Sequence, residues 1–144
     1  METTMEIRDM SYFELRLQEL LIESYPELAK DQDFISARGD LAVDTYVDVI
    51  KRGDTHLEAS YEANQVLFAN LPFSKMDLVF KVVCDEFYRD IANDELRSFA
   101  EQMLPVCQEV FDKYELHKDF EDDEMYDPLY TELTGTIQIW LEEN

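Results

Sequence analysis

Over 144 residues the chain sets twelve Lys and Arg against thirty-four Asp and Glu, a formal charge of −22. A field of that sign repels nucleic acid and anionic membranes and attracts basic partners, so direct binding of nucleic acid or of a membrane is not expected. Hydrophobic residues make up 46% of the chain and aromatics 12%, enough for a packed core and unlike a charged disordered chain, while three Gly and four Pro are too few for a turn-rich sandwich or barrel.

In chain order, Met1 to Met10 has neither a basic start nor an apolar run, so no signal peptide is expected. Apolar residues then recur at helical spacing almost throughout. Ser11 with Glu14 has the spacing of a capping box and opens a helix carrying Phe13, Leu17, Leu20, Leu21 and Ser24, which must end before Pro26. Asp33 is expected to cap a second helix with Phe34, Ile35, Leu41, Ala42, Tyr46, Val49 and Ile50 on its inner face. Lys51 and Arg52 suit its negative end, and Gly53 can close it in the left-handed conformation.

Thr55 with Glu58 opens a third helix, bearing Leu57, Tyr61, Ala63, Val66, Leu67 and Phe68 and stopping before Pro72. Ser74 with Asp77 opens the next, read as Lys75 to Ile91 with Leu78, Val79, Val82, Val83, Phe87 and Ile91 inward. A segment from Asn93 to about Leu116 contains Pro105, which removes one hydrogen bond and predicts a kink or two shorter helices. Asp119 to Asp127 is a polar connection. Asp127 as cap and Pro128 at the first helical position then start a last helix to about Glu143, with Leu129, Leu133, Ile137, Trp140 and Leu141 inward. Thr134, Thr136, Ile137 and Ile139 are β-branched, and Ile137, Ile139 and Leu141 also alternate like a strand, but the sequence offers no second strand candidate to pair with them, so a helix is expected. Gly135, mid-helix, is expected to mark a close approach by another helix or a second subunit, which leaves a homodimer open. The expectation is one all-α domain over residues 1–144, an irregular orthogonal bundle of about six helices.

Residues with the capacity for chemistry are few. Cys84 and Cys107 lack a Cys-x-x-Cys spacing and read as structural thiols of a reducing cytoplasm. Cys107 with His117 is a nucleophile and base only in residue type, and His56 and His117 lack metal-ligand spacing. Counting an EF-hand loop from Asp119 puts Glu124 and Tyr130 where glycine and glutamate belong, so the calcium pattern fails. No cofactor or metal is expected. Between Asp119 and Asn144 nine acidic residues occur with no Lys or Arg. Within that stretch Glu121, Asp122, Asp123, Glu124 and Asp127 are the candidate partner-binding residues, for a basic protein or, more sharply, for a DNA-binding protein deceived by a DNA-like surface. The alternative is a small metal-dependent enzyme using carboxylates such as Asp40, Asp44, Glu86 and Asp90, whose other reading is exposed helix faces or pairing with Arg38 and Arg89.

The chain also resembles an uncharacterised family of small acidic all-helical proteins from Bacteroidetes, often encoded on conjugative elements. The likeness is carried by Ser11-Tyr12-Phe13-Glu14-Leu15, Pro26-Glu27-Leu28-Ala29, Asp33-Phe34-Ile35 with Arg38 and Asp40, Leu71-Pro72-Phe73-Ser74, Glu86-Phe87, and most specifically by 130–137. The resemblance implies a helical fold and a mobile-element context, and it implies no catalytic residues.

Overall fold

A computed structural model describes residues 11–144, so the reading of Met1 to Met10 lies outside the described residues. Among these the protein is all-α: seven α-helices and three short 3-10 turns, with no strand. The helices fall into two compact units, one ending at Leu71 and the other beginning at Pro72.

The first unit holds α1 (Tyr12–Ser24), α2 (Gln32–Lys51) and α3 (His56–Leu67). Ser11 and Thr55 accept from the N–H groups of Glu14 and Glu58, both at 3.1 Å, which starts α1 and α3 where the spacing predicts. The start of α2 differs from expectation. Asp31 and not Asp33 is the cap, accepting from Phe34 N–H at 3.0 Å, because a cap must stand three residues before the donor it satisfies. Its end is as expected: Gly53 has φ +94°, Gly53 N–H reaches Ile50 O and Asp54 N–H reaches Val49 O, the paired bonds of a Schellman closure. Leu17, Leu21, Ile35, Ala42, Ala63 and Leu67 form the core of this unit. Leu41, Leu57 and Tyr61, counted among the apolar residues that recur along their helices, are exposed at 54%, 82% and 58%, since each lies off the arc that its helix turns toward that core.

The second unit holds α4 (Lys75–Glu86), α5 (Leu96–Val106), α6 (Gln108–Phe111) and α7 (Tyr126–Glu143). Ser74 caps α4 through Asp77 N–H at 3.0 Å. The helix stops at Glu86, short of Ile91: the buried Phe87 leaves helical geometry at φ −125° and ψ 15°, and its carbonyl takes the N–H groups of Asp90 and Ile91 in a separate turn. Asn93–Glu95 is a 3-10 turn, so α5 begins at Leu96. The proline segment is indeed two helices, but the break follows Pro105 by two residues. Cys107 N–H is shared between Met103 O and Leu104 O, while the carbonyl that Pro105 orphans belongs to Glu101, on an exposed face.

The strand-like C-terminal stretch is helix. The Thr134 and Thr136 hydroxyls donate to the carbonyls four residues back, at 2.9 and 2.8 Å, a bond that suits threonine to a helix. Leu129, Leu133 and Ile137 are fully buried. They share a core with Val79, Val82, Val83, Phe87, Phe99, Ala100, Met103, Phe111 and Phe120. Trp140 is only half-buried, edge-on to Phe99 at 5.9 Å. For Gly135 the expected approach of another helix is not found: a Cβ built there meets nothing within 4 Å among the described residues of the chain.

Candidate functional site

The acidic segment between α6 and α7 is an ordered loop. Phe120 is its anchor, 1% exposed, with Phe73, Tyr114 and His117 set edge-on around its ring at 5.6, 6.3 and 5.5 Å. Around that anchor Phe120–Asp122 winds into a 3-10 turn. Asp123 then accepts from His117 Nε2 at 2.9 Å with one oxygen and from Met125 N–H at 2.8 Å with the other. Its carboxyl is held below the usual carboxylate range by the His117 bond first and the backbone bond second. The last helix therefore starts at Tyr126, one residue before the expected cap Asp127, because Asp123 already satisfies the donor at the turn.

The five candidate residues thus divide. Glu121, Asp122, Glu124 and Asp127 lie toward solvent, and Asp123 is a structural pin that holds the loop in shape. Beside them, Tyr130 donates to Glu86 Oε2 at 2.9 Å and to Asp85 Oδ2 at 3.2 Å, and Lys81 pairs with Asp85 at 2.8 Å. Burial, then the bond to Glu86, pushes the Tyr130 hydroxyl well above the tyrosine range, so it stays a donor. Lys113 and the Tyr114 hydroxyl both reach Glu132, at 2.9 and 2.6 Å. Lys81–Asp85 is an ordinary i,i+4 helix pair, but the other contacts join residues 18 to 45 positions apart, which no local spacing could reveal.

The carboxylates of the enzyme alternative are not brought together. Asp40, Asp44, Glu86 and Asp90 are all exposed, the first two on α2 and Glu86 on α4. Arg38 does not pair with any of them. Its Nη1 donates to the carbonyls of Val66, Leu67 and Ala69, and its guanidinium lies 4.8 Å over Phe34. Arg89 lies over the Tyr88 ring at 5.4 Å. Among the described residues no group of three or more His, Cys, Asp and Glu side chains is placed to hold a metal ion. Cys107 is buried and its thiol is pushed up to about 11 by that burial, which suppresses the reactive thiolate. His117 is engaged with Asp123, and His56 with the Tyr46 hydroxyl. No helix among the described residues is long and apolar enough to cross a membrane.

No functionally curated protein matches the chain. The crystal structure of protein PG0816 from Porphyromonas gingivalis is similar at 38% identity and TM-score 0.77, covering 98% of this chain and 96% of that one. The family model described as a domain of unknown function, DUF1896, matches residues 5–144. An all-helical fold, shared across almost its full length with a protein from the Bacteroidetes, and a family match that spans it place the chain: it belongs to the DUF1896 family, whose function is unknown.

Proposed function

We propose that the protein is a non-enzymatic cytoplasmic interaction protein that binds a basic partner protein through the acidic loop at 119–127 and the adjoining end of α7. The observation that supports this reading is the construction of the loop. Phe120 is sunk in the core and Asp123 is tied at both oxygens, so Glu121, Asp122, Glu124 and Asp127 are presented to solvent on a fixed frame. A fixed frame lowers the entropy lost when a lysine-rich or arginine-rich surface docks. Concentrated charge of one sign also steers encounter, and that steering weakens with salt. A surface that competes with DNA for a DNA-binding protein is the sharper form of the same reading.

The test is a pull-down from the native host at low and high salt, using the full chain and a variant with Glu121→Gln, Asp122→Asn, Glu124→Gln and Asp127→Asn. A basic protein is expected to be recovered at low salt, to be released as salt rises, and to be lost by the variant. Recovery of nothing at low salt, or equal recovery by the variant, overturns the proposal. Competition of duplex DNA for the captured protein decides the sharper form.

A further inference from the structure

The outer seam between α1 and α2 carries a second surface. Gly39, buried on α2, leaves room for the Glu14 side chain, whose Cγ a Cβ on residue 39 would clash with. Burial, and then the charge of Asp40, raises the Glu14 carboxyl above the ordinary range. Among the described residues the arginines of this unit are committed elsewhere: Arg16 to Asn64 at 2.7 Å, Arg38 to the carbonyls at the end of α3, and Arg52 to Asp54 and Glu62. Two neighbouring carboxylates, Glu14 and Asp40, therefore stand along the seam with no arginine of the described residues set against them.

The same two helices also expose aliphatic side chains. Leu15 and Ile22, seven residues apart on one stripe of α1, are 46% and 63% exposed. Val43 and Val47, on the same face of α2 as Asp40, are 37% and 40% exposed. A surface helix ordinarily has one apolar stripe. α1 has two, because Leu17 and Leu21 on its other side already fill the core.

We infer that this seam is a docking site for a basic amphipathic helix of a partner protein, with aliphatic side chains on Leu15, Ile22, Val43 and Val47 and a lysine or arginine set against Glu14 and Asp40. Helix-in-groove recognition uses this combination of apolar anchors at helical spacing and a charge fixing register. A second copy of the chain fits poorly, since it would bring a like charge of −22 and another pair of carboxylates to the seam. The inference rests on the acidic-loop reading only for the sign of the partner's charge; the surface is a different one.

The full chain, labelled with 15N, is titrated with a synthetic helical peptide of leucine and lysine, the leucines on one stripe, and with its twin carrying glutamate for lysine. The lysine peptide is expected to shift the amides of Leu15, Ile22, Val43 and Val47 saturably. Val43→Glu should abolish this, and Glu14→Gln with Asp40→Asn should weaken it about tenfold, the scale of one central contact. Shifts confined to 119–127 and α7 overturn the inference and leave the acidic-loop reading standing. Failure of the lysine peptide to bind anywhere overturns the inference and counts against both. Equal binding by the glutamate twin overturns it as well, since charge would then play no part.

Discussion

At the scale of single residues, the tie between Tyr114 and Glu132 has a pH signature that can be worked out at both ends. The Tyr114 hydroxyl, and then Lys113, holds the Glu132 carboxyl below the usual carboxylate range. A lowered acid contributes stability above its unfolded value of about 4.3, and that contribution is lost as pH falls through the depressed folded value. The same bond pushes Tyr114 up to about 12. A raised group contributes fully below its unfolded value, about 10 for tyrosine, and the contribution disappears as pH rises through the folded one. Tyr114→Phe is therefore expected to lower the melting temperature between about pH 5 and pH 10, and to make little difference in acid. Melting curves of both proteins across pH check this, and a difference that persists unchanged at pH 3 contradicts it. Gly39 makes a second prediction. Gly39→Ala collides with the Glu14 stem and is expected to destabilise by about 1–3 kcal/mol, the usual range for an overpacked site. Combined with Glu14→Ala the loss should largely vanish, and a double-mutant cycle measures the coupling.

At the scale of helices, the ends carry as much information as the faces. At and just past the end of α3, Arg38 supplies one donor group to the carbonyls of Val66, Leu67 and Ala69 from 28 to 31 residues away, Val66 O also accepting from Ala69 N–H at 3.4 Å. Just beyond them Asn70 takes φ +54°, a conformation asparagine tolerates better than most residues. Arg38→Ala should cost about 2–3 kcal/mol, because it removes charged hydrogen bonds and leaves part-buried carbonyls unmet. Denaturant midpoints decide, and Arg38→Lys should recover little, since one ammonium cannot reproduce the planar fork. In α7 the open surroundings of Gly135 reverse the packing expectation. Gly135→Ala should raise stability by about 1 kcal/mol through helix propensity alone. Trp140→Ala should fall at or below the ~3 kcal/mol low end of the range for emptied core sites, because the ring is only partly buried. Thermal melts of the two variants should thus move in opposite directions.

At the scale of the whole chain, the net charge is large and unevenly spread. Residues 72–144 hold nineteen acidic and six basic residues, against twelve and five in 11–71. Self-repulsion of that order destabilises the folded state, and added salt screens it. The melting temperature is expected to rise between about 0.01 M and 0.15 M sodium chloride, over which the screening length falls from roughly 30 Å to 8 Å. A flat or falling melting temperature over that range would mean that local ion pairs such as Lys81–Asp85 outweigh the net repulsion. In the partner binding proposed above, the acidic loop should be the part that senses salt most strongly, because Asp119, Glu121, Asp122, Glu124 and Asp127 lie toward solvent and no Lys or Arg lies between Asp119 and Asn144.

Helix identity, the starts of α1, α3 and α4, and the sign of the surface were legible in the residues alone, because capping, periodicity and charge act over three or four positions. Ser11, Thr55, Ser74 and Gly53 sit where local geometry requires them, and tertiary context had nothing to change there. What local spacing could not decide was everything set by residues distant in the chain. The halting of α4 at Glu86, the outward turn of Leu41 and Leu57, the open side of Gly135 and the use of Arg38 as a remote cap depend on which helices share a core. Of the candidate site, the cluster of carboxylates was visible in sequence, but the division between the pinned Asp123 and its solvent-facing neighbours was not. That division follows from Phe120 being drawn into the core and His117 being brought to Asp123, a matter of burial and angle that no count of charges contains.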